Sequence, residues 1–211
     1  MFKVHVTYII GLFVACEVIA NITAGRITQF GPFSVPAAIY IFALTFTIID
    51  LINEVLGKQG ARRVVLAGVL ANCLLAVYSL LVLALPAPAW FKYTDEYHTV
   101  LALTPRIVAA SLLASLISGL ADVELFARLR ARFNAGWRVV ASNALGALVD
   151  SILFILLAFA GVAGFPLKML LLLMLGQYII KMLVTVVSVP LIYIVHATVS
   201  VETETAQAPV R

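Results

Sequence analysis

Long apolar stretches separated by short loops dominate this chain and limit the folds open to it. A transmembrane α-helix needs about 20 mostly apolar residues. Stretches of this kind occupy residues 4–23, 36–55, 63–85, 105–126, 139–162 and 166–197. Proline and glycine mark several of the gaps, as in GPFSVP at residues 31–36 and GVAGFP at residues 161–166. The pattern predicts an all-α integral membrane protein with six transmembrane helices.

Composition supports a membrane environment. Of the 211 residues, 64% are hydrophobic and 11% are charged, about half the charge of a typical soluble domain. We expect one six-helix transmembrane domain over residues 1–199 and a short polar cytoplasmic tail at residues 200–211. The lipid bilayer is therefore the first expected partner of this chain.

Basic residues are unevenly divided between the two ends of the predicted helices. If both termini lie on one side, that side holds nine basic residues and the other holds four. Cytoplasmic loops carry an excess of Lys and Arg, so we expect both termini in the cytoplasm. Because the net charge of +4 comes from these short loops, we expect no nucleic-acid partner. The nine are Lys3, Lys58, Arg62, Arg63, Arg128, Arg130, Arg132, Arg138 and Arg211, and the four are Arg26, Lys92, Arg106 and Lys168.

Charged and amide side chains interrupt the apolar stretches at helical spacing. An ionised side chain at mid-bilayer costs about 2.5–3.5 kcal/mol, so such residues are candidates for function. Residues four apart, such as Gln177 and Lys181, share one helix face, and we expect these faces to turn toward neighbouring helices or a wet cavity. The candidate substrate-binding residues are Glu17, Asn21, Asp50, Asn53, Glu54, Asn143, Asp150, Gln177 and Lys181.

Structural roles stay open for some of these positions. Asp150 and Lys181 fit a purely structural ion pair between the fifth and sixth helices as well as they fit a ligand site. The serines at positions 111, 115 and 118, like Asn72, are more typical of hydrogen bonds between helices than of substrate contacts. Glu17 and Asp150 are the candidate proton carriers.

Signatures of catalysis are missing from the sequence. It contains no GxSxG nucleophile motif and no phosphate-binding glycine loop. His5, His98 and His196 are scattered and lack the spacing of a metal site. We therefore expect no enzyme activity, no metal and no cofactor. Polar groups of different kinds on separate helices favour a transporter with one discrete solute site over a channel with a repeated selectivity ring.

One stretch resembles the signature of a known family. IIDLINEVLGKQGARRVV at residues 48–65 is similar to the TD-I-INE-YG-K-ARR pattern of the queuosine precursor transporters, also called the vitamin-uptake-transporter-like family. The resemblance continues in ADVELFARLR at residues 121–130, LGALVDSILF at residues 145–154 and YIIKMLV at residues 178–184. These segments follow one another in the order typical of the family and cover most of the chain.

The resemblance implies a bacterial inner-membrane importer of 7-deazaguanine precursors of the tRNA base queuosine, such as preQ0 or preQ1. It also implies a fold similar to the substrate-binding components of energy-coupling-factor transporters. A 7-deazaguanine presents a ring N–H and an amino group side by side, and one carboxylate accepts hydrogen bonds from both. We expect that carboxylate to come from Glu17, Asp50 or Glu54. Aromatic rings available for stacking are Tyr40, Phe46, Tyr78 and Tyr178.

Two other functions stay open beside this one. The chain could import another small vitamin-like solute on the same scaffold. It could also be a substrate-binding subunit that docks an energising ATPase complex. The sequence leaves a homo-oligomer open as well.

Overall fold

The structure is a computed structural model that describes the backbone of residues 2–129 and 135–202. Side chains are described for residues 5–42, 44–45, 48–49, 51–53, 55–57, 59–121, 141 and 144–184. The chain is mostly helical, as the sequence predicts. In order, the elements are β1 (Phe2–His5), α1 (Val6–Thr23), β2 (Ile27–Phe30), β3 (Phe33–Pro36), α2 (Ala38–Ala84), α3 (Thr94–Leu101), α4 (Thr104–Leu129), α5 (Ala135–Phe159), α6 (Leu167–Thr198) and β4 (Val199–Glu202).

Within the described residues, four helical stretches are long and apolar enough to cross a membrane. They are Val6–Thr23, Gln59–Ala84, Thr94–Ala121 and Leu167–Val184. The predicted spans at residues 36–55 and 139–162 are not among them, although α5 contributes a shorter apolar helix at Ala144–Phe159.

The second half of α2 turns its apolar side chains outward and its polar side chains inward. Leu70 and Leu74 are 63% and 68% exposed, whereas Asn72 and Ser79 are 1% and 3% exposed. In water this arrangement would leave apolar area unburied and would desolvate polar groups. It suits a helix whose outer face contacts lipid.

Helix α2 contains the two helices that the sequence predicts as separate, joined across a kink. We expected a turn between residues 55 and 63, and the break lies within that range at Gly57, with φ 66° and ψ 176°. This conformation is essentially confined to glycine. The sequence thus predicted the position of the break correctly and its length incorrectly.

A β-hairpin, β2–β3, occupies a segment that the sequence analysis treated as a loop. Ile27 pairs with Pro36 and Phe30 with Phe33, and Gly31 in the tight turn has a φ of +56°, which glycine supplies readily. Val35 is fully buried because β3 packs on α6. The all-α prediction did not include this hairpin.

The two ends of the described chain meet in a second small sheet. Strand β1 pairs with β4 in parallel, with Phe2 opposite Val199 and His5 opposite Glu202. The pairing places the start of α1 and the end of α6 at the same end of the helix bundle. Strand β4 includes residues 200–202 of the predicted tail, and residues 203–211 lie outside the described residues.

The loop predicted at residues 86–104 contains a short helix, α3. Asp95 and Glu96 lie in its first turn, where negative charge interacts favourably with the helix dipole. Helix α3 has no buried residue, and Trp90 before it is 78% exposed. The segment therefore adds little to the core of the bundle.

The helices pack in two main groups that meet around the cavity described below. Helix α1 packs on α2, and α5 packs on both α4 and α6. The larger core joins α4, α5 and α6 through fully buried residues such as Ala114, Ile155 and Leu173. Helix α2 contacts both α4 and α6, which brings the two groups together.

Candidate functional site

A cavity lies where α1, α2, α4, α5 and α6 converge. Its cavity volume is about 40 Å³, and the empty space within and around it is about 460 Å³ when the open solvent at its mouth is included. Most lining residues come from the C-terminal parts of α1 and α5 and from the N-terminal halves of α2, α4 and α6, while Ala24 follows α1 and Pro36 ends β3. The cavity therefore lies toward the end of the bundle opposite the paired termini. The lining residues are Ala20, Asn21, Ala24, Pro36, Ala38, Ile39, Phe42, Ser111, Ser115, Asp150, Phe154, Gln177 and Lys181.

An ion pair crosses one wall of this cavity. Lys181 Nζ on α6 donates to Asp150 Oδ2 on α5, and the two side chains are 8% and 15% exposed. The Lys181 ammonium also lies over the Phe42 ring, 5.4 Å from its centroid, within the range of a cation–π interaction. The ion pair considered from the sequence is therefore present.

Pairing leaves part of the Asp150 carboxylate available. Its Oδ2 accepts from Lys181, and within the described part of the chain its Oδ1 receives no hydrogen bond. An ionised carboxylate accepts hydrogen bonds at both oxygens. Asp150 can therefore keep its salt bridge and still accept a donor from a guest.

Gln177 has a buried amide with an unmatched oxygen. The residue is 5% exposed, and its Oε1 has no hydrogen-bond donor among the residues that the structure describes. A buried polar atom without a partner costs about 1–3 kcal/mol, and such atoms are uncommon in folded proteins. Because Gln177 lines the cavity, a guest that brings an N–H or O–H group would relieve this penalty.

A chain of amides ties α1 to α2 beside the cavity. Asn21 Nδ2 donates to Asn72 Oδ1 at 2.9 Å and to the backbone oxygen of Glu17 at 3.1 Å. Asn72 Nδ2 in turn donates to the backbone oxygen of Gly68 at 3.1 Å. Both N–H groups of Asn21 are therefore occupied. Its Oδ1 receives no hydrogen bond within the described ranges.

Of the remaining predicted site residues, Glu17 and Asn53 have described side chains, and neither of the two lines the cavity. Glu17 is partly buried against α2, where a Cβ atom on Gly68 would lie 3.8 Å from its Cγ, and it is not a lining residue. Asn53 is exposed near the Gly57 kink. The side chains of Asp50, Glu54 and Asn143 lie outside the described residues.

The described side chains bring no metal-binding cluster together. Over those residues, no group of three or more His, Cys, Asp or Glu side chains is placed to hold a metal ion.

Comparison with known proteins places the chain in a family. Residues 36–195, which include α2 to α5 and most of α6, match the family described as "putative vitamin uptake transporter". The chain belongs to this family. The resemblance seen in the sequence is thereby confirmed.

The vitamin uptake transporter family also contributes one named relative. A Bacillus subtilis (strain 168) protein named "Probable queuosine precursor transporter" is 28% identical over 191 residues, which are 87% of this chain and 82% of the relative. No solved structure matches the chain. Family membership and the apolar helices together indicate a multi-pass membrane protein that transports a small molecule, and they favour transport over catalysis.

In this vitamin uptake transporter family member, the cavity contains aromatic rings that sequence reasoning missed. Phe42 and Phe154 line it, whereas Tyr40 and Tyr78, which we expected to stack on a ligand, are 46% and 60% exposed. Tyr178 is partly buried and is not a lining residue, and Phe46 lies outside the described side chains. The sequence did not single out Phe42 and Phe154, because a phenylalanine in an apolar helix looks the same whether it lines a cavity or faces lipid. Helical spacing from Ala38 to Phe42, and from Asp150 to Phe154, places each of them on a lining face.

The three serines of α4 at positions 111, 115 and 118 lie in different surroundings. Ser111 and Ser115 line the cavity, while Ser118 is buried and donates to the backbone oxygen of Ser115 at 3.2 Å. The hydrogen bond of Ser118 stays within α4 and does not join two helices, which the sequence interpretation had expected of these serines.

Proposed function

We propose that this chain is an inner-membrane importer of queuosine precursors, that is, of 7-deazaguanines such as preQ0 and preQ1. The observation that carries the proposal is the buried Gln177 amide, whose carbonyl oxygen receives no hydrogen bond from the side chains and backbone that the structure describes. The name of the Bacillus relative supports the substrate class. A cavity that is mostly apolar and has a few polar groups is typical of small-molecule sites.

The edge of a 7-deazaguanine complements Gln177. Its ring N–H is adjacent to its carbonyl oxygen, so the Gln177 Oε1 accepts from the first while Nε2 donates to the second. The same amide, turned over, also fits an adenine edge, because adenine presents an amino group beside a ring nitrogen acceptor. Gln177 therefore requires a donor and an acceptor side by side but does not choose between the two bases.

Asp150 distinguishes a 7-deazaguanine from adenine. A carboxylate only accepts hydrogen bonds, and a 7-deazaguanine whose ring N–H is bonded to Gln177 still offers its amino group to Asp150 Oδ1. Adenine bonds Gln177 through its one amino group, so it has no second amino group for Asp150. Sites that leave a buried polar group unpaired reject such analogues strongly. Phe42 and Phe154 provide apolar rings against which the flat base packs.

Orientation follows from the charge bias of the loops. With both termini in the cytoplasm, the cavity lies toward the exterior end of the bundle, where a scavenged base would enter. The predicted spans at residues 36–55 and 139–162 complete six crossings, in a fold similar to the substrate-binding components of energy-coupling-factor transporters. Residues 1–199 form that domain, and residues 200–211 form a cytoplasmic tail.

In this proposal, the other predicted residues line the route by which the base moves from the cavity to the cytoplasm. Glu17 precedes Asn21 by one helical turn on α1 and is therefore farther along the helix from the end of the bundle at which the cavity lies. Asp50, Asn53 and Glu54 shortly precede the Gly57 kink, which lies on the cytoplasmic side of the bundle in this topology. Asn143 precedes Asp150 by two turns on α5. A base released from the cavity would pass these side chains on its way inward.

Titration of the purified protein with preQ0, preQ1, queuine, guanine and adenine tests the proposal. We expect a 7-deazaguanine to bind most tightly and adenine to bind weakly. Tighter binding of adenine, or no binding of any 7-deazaguanine, would contradict the proposal. A different vitamin-like solute that binds where these bases do not would assign the cavity to the alternative substrate class.

The variant Gln177→Leu tests the observation on which the proposal rests. Removing both amide hydrogen bonds is expected to weaken preQ0 binding roughly 10- to 100-fold. The ligand-free protein should be at least as stable as wild type, because the substitution removes an unmatched buried oxygen. Gln29→Leu, at an exposed position of β2, is the matched control and should bind normally. Unchanged affinity in Gln177→Leu would remove Gln177 from the site.

A further inference from the structure

Large aromatic side chains are exposed in the segment between α2 and α4. Trp90, Tyr93 and Tyr97 are 78%, 63% and 58% exposed. Each of the three rings contacts the ring of Phe91, with centroids 6.2, 6.0 and 5.9 Å apart in that order. The segment thus presents a cluster of aromatic rings on the surface of the protein, and contiguous exposed apolar area of this kind marks an interaction site.

Helix α3 carries its apolar and polar side chains on opposite sides. Tyr97, Val100 and Leu101 are three and four residues apart and share one side of the helix. Tyr97 and Val100 on this side are 58% and 56% exposed. Asp95 and Thr99 are four residues apart on the other side and are exposed as well. A helix with one apolar and one polar side, and with no buried residue, is typical of helices that lie along a membrane surface.

The exposed apolar surface of α2 leads to this segment. Val77, Leu81 and Leu85 follow one another at intervals of four residues and are 65%, 52% and 61% exposed. Val77 and Leu81 belong to the apolar stretch Gln59–Ala84, which is long enough to cross a membrane. Leu85 and Tyr97 both line a groove of about 250 Å³ between the end of α2 and the aromatic segment. The surface of α2 that suits lipid is therefore continuous with the apolar side of α3.

We propose that residues 87–101 bind the lipid surface at the membrane–water interface where α2 ends. The side of α3 with Tyr97 and Val100 contacts the acyl chains next to the headgroups, and the side with Asp95 and Thr99 faces water. The inference goes beyond the proposed function, because it depends neither on the cavity nor on its guest.

The chemistry of the segment explains why lipid is the partner. Trp and Tyr are enriched at membrane interfaces, because the apolar body of the ring lies among acyl chains while its N–H or O–H group reaches the headgroups. Asp95 and Glu96 are exposed acidic side chains, so attraction to anionic headgroups does not hold α3 in place and apolar contact does. A helix bound in this way lies about 5–10 Å into the boundary between headgroups and acyl chains.

Two single-tryptophan variants test which side of α3 contacts lipid. The sequence contains two tryptophans, Trp90 and Trp137, so Trp90→Phe with Trp137→Phe gives a chain without any. In this background, Tyr97→Trp and Thr99→Trp each restore one tryptophan, at exposed positions on opposite sides of the helix. The full-length protein is reconstituted in phosphatidylcholine vesicles whose acyl chains are brominated near the headgroup, because bromine quenches the fluorescence of a tryptophan that it contacts. We expect Tyr97→Trp to be quenched roughly twofold or more strongly than Thr99→Trp, since an interfacial helix buries only its apolar side.

Equal quenching at the two positions, or no quenching at position 97, would overturn the inference. Acrylamide then shows what surrounds the helix instead: a tryptophan at position 97 that acrylamide quenches is in water, and one that neither reagent quenches is covered by protein, such as a second copy of this chain. Trp137→Phe alone, which keeps Trp90 and the rest of the segment unchanged, should give the same result as Tyr97→Trp. A Trp90 that brominated lipid does not quench would contradict the proposal even if both tryptophan insertions disturbed α3.

A reference position on α2 tests the depth of the segment. Leu74 is 68% exposed within the apolar stretch Gln59–Ala84, and Leu74→Trp in the same tryptophan-free background is the matched control. Lipid brominated near the end of the acyl chain should quench this variant more strongly than lipid brominated near the headgroup. The order should be reversed for Tyr97→Trp. If both variants show the order expected for Leu74→Trp, α3 lies within the membrane core and the interfacial position is wrong.

Discussion

The contact between the hairpin and α6 depends on Gly176, and adding one methyl group there should loosen it. A Cβ atom at position 176 would lie 2.6 Å from the backbone oxygen of Ser34 and 2.9 Å from Val35 Cγ1. Ordinary contacts begin at about 3.4 Å, so the oxygen would have to move by about 0.8 Å, the difference between 3.4 and 2.6. A backbone oxygen held in a hairpin cannot rotate away as a side chain can. The whole of β3 must shift.

The expected size of the effect follows from two opposing terms. Replacing glycine by alanine inside a helix is favourable by about 0.8–1.0 kcal/mol. Overpacking a well-packed contact costs about 1–3 kcal/mol. Gly119→Ala on α4 experiences only the first term, because nothing lies within 4 Å of the added Cβ. The difference between the two variants therefore measures the overlap alone, about 1–3 kcal/mol in favour of Gly119→Ala.

Reversible unfolding of both variants in mixed micelles measures this difference directly. We also expect Gly176→Ala to weaken ligand binding, because the next residue, Gln177, lines the cavity. If Gly176→Ala is as stable as Gly119→Ala, the hairpin does not pack on α6 as described, and the explanation for the buried Val35 is wrong.

Three further experiments test other parts of the bundle by the same unfolding measurement. A double-mutant cycle of Asn21→Ala and Asn72→Ala should give a coupling of about 0.6–1.7 kcal/mol, and zero coupling would contradict the hydrogen bond between them. Gly57→Ala should destabilise the protein by about 1–3 kcal/mol, because φ 66° with ψ 176° suits glycine alone; a neutral result would show that the kink relaxes. Arg106 donates to the backbone oxygens of Leu157 and Ala160 at the end of α5, so Arg106→Gln should cost about 1 kcal/mol and Arg106→Lys less, and the reverse order would exclude this role.

The cavity shows how far a polar pattern in one sequence predicts a site. Four of the predicted residues line it: Asn21, Asp150, Gln177 and Lys181. Polar side chains on one face of an apolar helix point toward other helices, because contact with lipid is unfavourable for them. The same reasoning included Asn53, which is exposed near the kink of α2. Helical spacing gives the face of a residue but not its depth. The depth depends on where neighbouring helices leave space.

Other features of the site had no signal in the residue pattern. The hairpin at residues 27–36 was expected to be a loop. Its strands have only four residues each and contain or adjoin Gly and Pro, which are typical of loops. Because Gly176 has no side chain, the hairpin backbone can lie close to α6. The shortening of a predicted turn to the single residue Gly57 likewise depends on how α2 packs against α1 on both sides of the kink.

Hydrophobic length, the basic loops and the placement of polar residues along the helices are properties of the chain itself, so the sequence alone determined that this is a largely helical protein suited to a membrane. Only the tertiary structure decided which polar groups meet. Helices that are far apart in sequence bring Asp150 to Lys181 and Asn21 to Asn72, while the Gln177 oxygen finds no donor among the described residues. The physical reason is that hydrogen bonds and ion pairs depend on distances of a few ångströms, and packing between helices sets these distances.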